Sequence, residues 1–408
     1  MIADSCSHKL KRRKKLAIKD PDSARSVVSV VKARNYNLAE LIPAMRKSLD
    51  LMGGLNTIVK PGNKVFVKIN HLPPSAPAER GIITNPIFVE AMLTLLKETG
   101  AVITIGDDID EGDDGFKISG FREMCEKLGV NLVNLRGAGF VEKSCNGKIL
   151  KNLYISKIVL DADVIINLPK FKTHSLTIFT GSIKNMFGII PAGLRRKFHG
   201  EYLRIEDFSQ MLVDLYALAT PQVTIIDGIM AMEGEGPGSG TMRNLGLILA
   251  GRDAVALDTV AGGIIGLKPG NVLTTRFAGE RGLGINDLNR IEVVGEKFAS
   301  LVVKDFKLPF ITSHNIVNSA PHGLVKYVLG QIAPRPKVVK KNCTACTKCV
   351  QACPTGAATI VRKTAAIDKK LCIRCMCCHE VCRFNAIHPG RSFIGNSFYE
   401  IIRILRRM

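Results

Sequence analysis

Eight cysteines near the C-terminus have the residue type and spacing that could do chemistry. Residues 343–354 read C-x2-C-x2-C-x3-C-P, and residues 372–382 read C-x2-C-x2-C-x3-C. A tight loop can present three thiolates at i, i+3 and i+6, and the fourth thiolate then comes from the other half of the module. The spacing therefore predicts two four-iron, four-sulfur (4Fe-4S) clusters.

This repeated spacing resembles a bacterial-type ferredoxin module, which we expect over residues 337–390. The predicted ligands are Cys343, Cys346, Cys349 and Cys382 for cluster 1, and Cys372, Cys375, Cys378 and Cys353 for cluster 2. Two zinc sites are the alternative, because zinc sites also use C-x2-C pairs. Zinc does not need a fourth cysteine three residues further on, so we favour clusters. Cys377 is an extra thiol that could be silent, an alternative ligand or sensitive to oxidation.

A second candidate for chemistry is the stretch of residues 164–200, which contains no Asp or Glu. Its cations and histidines are Lys170, Lys172, Lys184, Arg195, Arg196, Lys197, His174 and His199. We predict that Lys170, Lys172, Lys184 and Asn185 bind an anionic ligand, such as a carboxylate, a phosphate or a nucleotide. His174 and His199 are the candidate catalytic proton donors, although each could be structural. Residues 180–182 could cap a helix that starts near Ile183, and this helix start would add exposed amide groups for the anion.

The elements that must position these residues alternate between strands and helices. The predicted strands are Ser26–Ala33, Val65–Ile69, Val102–Ile105, Asn131–Leu135, Val164–Ile166, Val223–Ile226, Leu247–Ala250 and Ile291–Val294. The predicted helices are Leu38–Met52, Pro86–Thr99, Phe121–Leu128 and one from about Asp253. This alternation predicts an α/β fold with a mostly parallel sheet and flanking helices.

Ligands of such sheets bind beyond the carboxyl ends of the strands. Four strand ends carry the polar residues Asn70, Asp107, Asn167 and Asp227, which we add to the candidate substrate-binding residues. Any one of them could simply cap a turn. Residues 233–240 have glycine at every second position, so this loop could approach a ligand closely or could act as a lid.

Several motifs in this α/β region resemble the DUF362 family, a domain family of unknown function. The matching stretches are 65–70, 84–86, 105–107, 167–174, 184–188, 227–237 and 253–258, together with His199. The resemblance implies the family's α/β domain over residues 26–300, with an appended ferredoxin module. It implies architecture rather than a reaction. Asn85 stands where the family often has histidine, and Arg383 stands where a proline commonly follows the last cysteine.

The net charge of +21 is concentrated in three segments. We predict a basic arm at residues 1–20, a DUF362-like domain at 21–310, a linker at 311–336, the ferredoxin domain at 337–390 and an apolar-basic helix at 391–408. The arm, the ferredoxin domain and the last segment carry most of the excess positive charge. This distribution favours an acidic redox protein as partner. No aromatic platform accompanies the basic residues, so nucleic acid is not favoured.

The sequence shows neither the apolar segment of a signal peptide nor an apolar run of the roughly 18 residues that a membrane span needs. We therefore expect a cytoplasmic protein without a transmembrane segment. The leading hypothesis is an iron-sulfur oxidoreductase that passes electrons through both clusters to an anionic substrate or cofactor in the α/β domain; whether a further cofactor binds stays unknown. The alternative is an electron carrier or a cluster-bearing assembly factor that docks an acidic protein.

Overall fold

The computed structural model describes residues 25–72, 75–109, 113–202, 204–309, 335–382, 384 and 386–390. The predicted basic arm, nearly all of the predicted linker, the apolar-basic segment 391–408 and Arg383 lie outside these residues. Within them, no helix is both long and apolar enough to cross a membrane.

The first part of the α/β domain supplies one half of the main sheet and the helices that cover it. Its elements are β1 (Ser26–Lys32), α1 (Leu38–Asp50), β2 (Lys64–Ile69), α2 (Pro86–Lys97), β3 (Val102–Asp107), α3 (Asp113–Ile118), α4 (Phe121–Leu128), β4 (Asn131–Asn134), β5 (Phe140–Ser144), β6 (Asn152–Ser156) and α5 (Lys157–Asp161). Helices α1 and α2 begin where Asn37 and Asn85 accept hydrogen bonds from the amides of Ala39 and Ile87. Such caps satisfy amide groups that have no partner inside the helix.

The second part completes the sheet and adds the strand that carries most of the candidate site. Its elements are β7 (Val164–Leu168), β8 (Lys170–His174), β9 (Ile178–Thr180), α6 (Ser182–Asn185), α7 (Ala192–Glu201), α8 (Ile205–Leu218), β10 (Val223–Glu233), β11 (Thr241–Gly251), α9 (Ala254–Ile264), α10 (Leu273–Glu280) and β12 (Ile291–Gly295). The sheet order is β12-β1-β11-β10-β7-β2-β3-β4, and β8 pairs with β10 and β9.

The sheet is mostly parallel, which confirms the predicted fold class of the α/β domain. Only β11, with its neighbours β1 and β10, and the short pair β8–β9 are antiparallel among the described strands of this sheet. Helices cover both faces, as the alternation along β2 shows. Val65 and Val67 pack in the cluster that contains Phe88 of α2, whereas Phe66 packs on the other face with Phe208 of α8. Burial of these apolar faces is the main stabilising contribution.

The structure adds to the predicted elements in two places. Residues 170–174, to which the sequence analysis assigned no element, form β8, in which Phe171 and Thr173 alternate with Lys170, Lys172 and His174. Strands β10 and β11 are each longer than predicted and form one antiparallel hairpin. The glycine-rich residues 234–240 are therefore the tip of a hairpin.

The described C-terminal residues form a small unit of two antiparallel strand pairs and short helices. Its elements are β13 (Arg335–Val338), α11 (Lys348–Ala352), β14 (Ala358–Val361), β15 (Thr364–Ile367), α12 (Cys377–Glu380) and β16 (Ile387–Gly390). Strand β13 pairs with β16, and β14 pairs with β15. Cys349 and Cys378 are buried in its small core beside Ala365 and Ile387. We call residues 335–390 the cysteine module.

Asp214 of α8 provides a test of how the α/β domain is held together. Its buried carboxylate accepts hydrogen bonds from the amides of Lys148, Ile149 and Leu150 and pairs with Arg281 at 2.6 Å. Removing one member of a buried ion pair typically costs about 3 kcal/mol or more. We expect Asp214→Asn to lower the unfolding free energy by about 3 kcal/mol in urea denaturation.

The matched control is Asp161→Asn, which removes an exposed carboxylate from an ion pair with Lys157 on α5. Exposed pairs of this kind contribute about 0.5 kcal/mol or less. Equal losses of stability in the two variants would contradict the structural role of Asp214.

Candidate functional site

The candidate site lies where the central strands end, and β8 supplies three of its side chains. Lys170, Lys172 and His174 are alternate residues of this strand, so their side chains project to the same face. All three are buried. Burial of three basic groups side by side is costly unless each finds a partner.

Lys170 has a complete set of partners. Its ammonium group lies 2.8 Å from Asp227 Oδ2 and donates a hydrogen bond of 2.8 Å to the hydroxyl oxygen of Tyr36. The Tyr36 hydroxyl donates in turn to Asp227 Oδ1 at 2.8 Å, and the amide of Asn85 donates to Oδ2 at 3.0 Å. Burial and the charge of Asp227 raise the pKa of Tyr36 far above its usual value, so it stays a donor. Asp227 and Lys170 therefore form a closed network.

Asp107 also pairs with a lysine. Lys68 Nζ lies 2.7 Å from Asp107 Oδ2, and both side chains are almost fully buried. The same oxygen accepts a hydrogen bond from the amide of His71 at 2.9 Å. A Cβ atom on Gly188 would lie 2.3 Å from Asp107 Oδ1, so this position requires glycine. The glycine of the stretch 184–188 thus makes room for an ion pair.

The three asparagines of the prediction form one chain of side-chain amides. Asn70 donates to Asn185 Oδ1 at 2.8 Å, and Asn185 donates to Asn167 Oδ1 at 2.7 Å. Asn167 donates to the carbonyl oxygen of Ser182 at 2.9 Å. Asn70 Oδ1 is buried and accepts no hydrogen bond from the described residues. The chain thus ends in one unused acceptor.

The predicted exposed amides at the start of helix α6 are not exposed, so this prediction was wrong. The amides of Ser182 and Ile183 donate to the two oxygens of Asp258, at 2.6 and 3.1 Å. Asp258 lies on α9, and a Cβ atom on Gly181 would meet its carboxylate at 2.2 Å. A carboxylate of the protein itself therefore takes the position that we had assigned to a ligand.

Two lysines of the site have no ion-pair partner among the described residues. Lys172 Nζ donates a hydrogen bond of 2.6 Å to the carbonyl oxygen of Ile82, which carries no charge. Lys184 lies over the ring of Phe187, with 5.4 Å between its ammonium group and the ring centroid. Burial, with the charge of Lys184 nearby, lowers the pKa of Lys172 to about 7. Burial also lowers the pKa of Lys184.

The acid that acts on both lysines comes from the cysteine module. Glu380 is the last residue of α12, its side chain is only 10% exposed, and its Oε1 lies 3.4 Å from His174 Nε2. The charge of Glu380 opposes the lowering of the pKa of both Lys172 and Lys184. Glu380 Oε1 is buried and accepts no hydrogen bond from the described residues. We call Lys172, His174, Lys184 and Glu380 the cation pocket.

Backbone groups determine which nitrogen of His174 faces this pocket. The amides of Leu176 and Thr177 donate to His174 Nδ1 at 3.0 and 3.3 Å. Burial, together with the charge of Lys184, holds the pKa of His174 well below its usual value. A neutral ring that accepts at Nδ1 carries its proton on Nε2. His174 therefore presents an N–H group to Glu380.

His199 lies near the pocket but against aromatic rings. Its ring is tilted on Phe208 at 4.6 Å between centroids and packs edge-on against Phe187 at 5.9 Å. Burial and the nearby charges of Lys184 and Arg195 lower the pKa of His199 to about 3. The catalytic roles of His174 and His199 stay predictions, and both rings are neutral near neutral pH.

The glycine-rich hairpin tip packs on protein rather than enclosing an open space. A Cβ atom on Gly236 would lie 2.1 Å from the carbonyl oxygen of Thr173, so the tip lies directly on β8. Gly238 approaches the carbonyl oxygen of Glu380, and Ser239 lies within hydrogen-bonding distance of His379, at 3.4 Å. The tip therefore forms part of the contact between the α/β domain and the cysteine module.

Eight of the nine cysteines of the module have neighbours that match two sets of four. Burial and the charges of Cys346, Cys382 and Cys343 raise the pKa of Cys349 to about 11. The thiol of Cys378 is influenced by Cys375, Cys372 and Cys353, and also by Cys349. A cavity is lined by Cys353, Cys372, Cys375 and Cys378 among other residues. These neighbours fit the two predicted ligand sets, and the clusters themselves stay a prediction.

Two amides point at sulfurs of the first set. Ala365 N donates to Cys343 Sγ and Ala386 N donates to Cys382 Sγ, both at 3.2 Å. Hydrogen bonds to ligating sulfurs are one means by which proteins adjust cluster potentials. No group of three His, Cys, Asp or Glu in the described part of the chain converges on one metal ion.

Four residues of the site were not predicted: Tyr36, Lys68, Asp258 and Glu380. Asp258 lies in a stretch that we had matched to a family, but nothing marked it as the partner of a helix start. The sequence did offer an indication for Glu380, because it is one of only two acids among residues 337–390. An isolated acid in a basic module is a candidate for a specific contact.

Comparison with known proteins gives a family and two similar sequences. The model of the family described as a domain of unknown function (DUF362) matches residues 65–262. The thylakoid-associated protein sll1697 of Synechocystis sp. is 34% identical over 286 residues, which cover 69% of this chain and 87% of that protein. An NrfC homolog of Haemophilus influenzae is 35% identical over 86 residues, 18% of this chain and 38% of that protein.

Among solved structures, the lactate racemase apoprotein of Thermoanaerobacterium thermosaccharolyticum aligns with a TM-score of 0.37 and 12% identity. The alignment covers 58% of this chain and 55% of that one. At this level of similarity it supports no conclusion about the site.

Asp258 gives the site helix a pH dependence that can be measured. Burial raises the pKa of Asp258 to about 6, above the value of about 3.9 in an unfolded chain. A raised carboxyl pKa stabilises the fold below the unfolded pKa, and this contribution is lost as pH rises through the folded pKa. Between about pH 5 and about pH 7, the unfolding free energy of the wild type should fall by about 1 kcal/mol relative to Asp258→Asn.

Urea denaturation at the two pH values measures this difference. Asp207→Asn, on the exposed side of α8, is the control, and its difference from the wild type should not depend on pH in this way. A difference between wild type and Asp258→Asn that is the same at both pH values would contradict the assigned burial of this carboxylate.

Proposed function

Because the chain belongs to the DUF362 family, which is defined by a domain and not by a reaction, we propose a function from the site itself. The protein is an iron-sulfur oxidoreductase that passes electrons through two 4Fe-4S clusters to an anionic substrate or cofactor in the α/β domain. The observation that carries this proposal is the position of Glu380. The same short helix carries a predicted cluster ligand, Cys378, and a carboxylate that enters the cation pocket.

The residues that would hold the clusters are the two sets of four cysteines. When bound, 4Fe-4S clusters supply one-electron transfer over a wide range of potentials. The protein's own part is to set the surroundings of the sulfurs. Ala365 and Ala386 donate amide hydrogen bonds to Cys343 and Cys382. Cys377 and Cys375 form a side-chain hydrogen bond that lowers the pKa of Cys375.

The cation pocket would bind the anion. Lys172 and Lys184 have no ion-pair partner among the described residues, whereas Lys170 is matched by Asp227. We therefore assign direct ligand contact to Lys172 and Lys184. The ion pairs and the asparagine chain of the site hold these two lysines in position. This division refines the predicted set of binding residues.

Lys172 and His174 would handle protons. Acid–base groups are most effective when their pKa lies near the working pH, and burial brings the pKa of Lys172 to about 7. His174 is neutral and presents its Nε2–H group to the pocket. Lys172 is therefore the stronger candidate for the proton donor, with His174 as a hydrogen-bond donor to the ligand.

The alternative function is a carrier of electrons or clusters without a reaction of its own. It is favoured by the fact that Glu380 already places a carboxylate in the pocket. Anaerobic purification followed by mass spectrometry of released small molecules separates the two functions. A bound organic anion supports the oxidoreductase, and an empty pocket with a stable complex to an acidic protein supports the carrier.

We further propose that the protein works in the cytoplasm with an acidic redox protein. None of the described cysteines forms a disulfide, which suits a reducing compartment. The basic cysteine module provides the complementary charge for an acidic partner. The printed name of sll1697 describes that relative as thylakoid-associated, so attachment to a membrane surface is a second outcome to test by fractionation.

Replacing one cysteine in each set tests the clusters. Anaerobically purified wild-type protein should contain about eight iron atoms, and Cys349→Ala and Cys378→Ala should each retain about four. Iron and sulfide analysis together with EPR of the reduced protein measures the content. Zinc in place of iron would overturn the proposal.

Cys377→Ala is the matched control, because this thiol is adjacent to Cys378 and is hydrogen-bonded to Cys375 but belongs to neither set. It should retain about eight iron atoms. Loss of half the iron in this variant would reassign Cys377 as a ligand.

Replacing Lys184 tests the anion site. We use glycolate as the probe, because it is a small carboxylate that also carries a hydroxyl donor. Lys184→Met removes one of the two unmatched charges and should raise the glycolate dissociation constant at least about tenfold, or ~1.4 kcal/mol. Calorimetric titration of the purified protein, with its iron content checked, measures this constant.

The control is Lys197→Met on α7, whose lysine is exposed and lies 4.0 Å from Glu201. Its dissociation constant should equal that of the wild type. Unchanged glycolate binding in Lys184→Met, or no binding to the wild type at all, would remove the anion site from the proposal.

A further inference from the structure

The cysteine module is built from two equivalent sequence repeats. Residues 340–353 and residues 369–382 both begin with two lysines and then carry cysteines at the same four positions of the repeat. The backbone repeats as well. Ala345 and Thr347 in the first repeat and their equivalents Arg374 and Met376 in the second all have positive φ angles. The two cysteine loops can therefore be compared position by position.

The two repeats differ in what covers them. In the second repeat Met376 and His379 are buried, and Ser239 of the hairpin tip lies 3.4 Å from His379 Nδ1. At the equivalent positions of the first repeat, Thr347 is exposed and Val350 is half-buried. The second repeat is thus the one that packs on the α/β domain beside the candidate site, and the cysteine loop of the first repeat stays open to solvent.

The open loop exposes one predicted cluster ligand. All eight predicted ligands lie among the described residues, and Cys346 is the exposed one, whereas its equivalent Cys375 is half-buried. Electrons pass between proteins by tunnelling, and the rate of tunnelling falls steeply with distance. The loop around Cys346 is therefore where another protein can come closest to the predicted cluster 1.

Two pairs of basic residues are held beside this loop by hydrogen bonds. The amide of Cys343 donates to the carbonyl oxygen of Lys340 at 3.1 Å, so the lysines at 340 and 341 lie directly before the first cysteine. The amide of Ala365 donates to Cys343 Sγ at 3.2 Å. This bond places the start of β15, and with it the turn formed by Arg362 and Lys363, next to the same cysteine.

A fifth cation completes a basic surface around the exposed ligand. Lys348 is the first residue of α11 and follows Cys346 by two positions. Residues 335–367 contain no Asp or Glu, so no acid within this segment offsets its cations. We call the following residues the entry surface: Lys340, Lys341, Cys346, Lys348, Arg362 and Lys363.

An apolar side chain adjoins the entry surface. Val361 is 51% exposed and pairs with Thr364 across the β14–β15 turn. An exposed apolar group surrounded by charged residues is the usual composition of a protein interface. None of the residues of the entry surface is aromatic, so the surface offers no ring on which a nucleic-acid base could stack. A protein of negative charge fits it best.

We propose that the entry surface docks an acidic protein that carries one electron, and that the electron enters the chain at cluster 1 beside Cys346. The partner is oxidised by one electron and cluster 1 is reduced by one, and no bond forms or breaks. The second repeat then leads toward the α/β domain, because its helix α12 contacts the hairpin tip and β8. The inference rests on the proposed function and specifies where its redox partner binds.

Reduction by an acidic electron carrier tests the entry surface. The probe is a flavodoxin, a small acidic flavoprotein, mixed with the anaerobically purified full chain at physiological ionic strength. Lys340→Gln together with Lys341→Gln should slow the second-order reduction of the clusters by reduced flavodoxin at least about fivefold, because it removes charges that steer the encounter. Calorimetric titration with oxidised flavodoxin should show a dissociation constant raised by a similar factor, independently of electron transfer.

The matched control is Lys369→Gln together with Lys370→Gln, the equivalent pair of the second repeat. Both pairs are exposed, and the loss of either changes the net charge equally. Cys343 lies beside the start of β15, whereas the amide of Cys372 donates to the carbonyl oxygen of Asp368, directly after the end of that strand. The control should stay within about twofold of the wild type, since charges more than about 8 Å from the docked protein are largely screened.

The outcomes separate this inference from the proposed function. Equal effects of the two lysine pairs, or no effect of either, on protein that holds about eight iron atoms would overturn the entry surface and leave the clusters intact. Protein without iron would overturn both. Dithionite is a small reductant that needs no docking, so equal slowing with dithionite and with flavodoxin would also count against the entry surface.

A membrane surface is the remaining competitor for these lysines. Vesicles of phosphatidylcholine with phosphatidylglycerol provide that comparison in a sedimentation assay. Loss of vesicle binding in Lys340→Gln with Lys341→Gln, with unchanged flavodoxin binding, would assign the surface to anionic lipid and overturn the inference. Weakened flavodoxin binding with unchanged vesicle binding would support it.

Discussion

The cost of burying positive charge governs this structure. Four lysines and an arginine are gathered where the strands end, and a buried cation without compensation is strongly unfavourable. Lys68, Lys170 and Arg195 are each held by an aspartate from another element. These pairs explain why Gly188 must lack a side chain and why Tyr36 is brought to the sheet edge. The lysines without an ion-pair partner among the described residues are Lys172 and Lys184, so these two are the candidates for contact with an anionic ligand.

The strand ends were predictable because a parallel sheet brings the carboxyl ends of its strands to one edge. Asn70, Asp107 and Asn167 therefore followed from the alternation of strands and helices alone, whereas Asp227 lies inside the longer strand β10, opposite Lys170 of β8. Their partners did not, because pairing depends on contacts between distant residues. Lys68 and Asp107 are separated by 39 residues, and Lys170 and Asp227 by 57. Strand β8 was missed because its lysines and histidine break the apolar pattern that identifies a strand.

Helix α6 shows why a plausible local motif can mislead. Amides at a helix start attract anions, and the surrounding lysines made a bound ligand a reasonable prediction. In the structure, those amides donate hydrogen bonds to Asp258, whose helix α9 packs beside α6. From the sequence, an anion of the protein and an anion of a ligand satisfy the same amides equally well. Only the fold, which places α9 within reach, decides between them.

The cysteine module contributes contacts and a carboxylate to the candidate site of the α/β domain. Without it, Lys172 and Lys184 would lose the nearby carboxylate of Glu380, and Gly238 and Ser239 at the hairpin tip would lose their contacts with α12. With it, Gly238 and Ser239 contact α12, and Glu380 lies beside His174. Cys378 and Glu380 are neighbours on one short helix, so a shift of the module would disturb a predicted cluster ligand and the ligand pocket together. The two parts therefore meet at the candidate site, where Glu380 of the cysteine module lies beside His174 of β8.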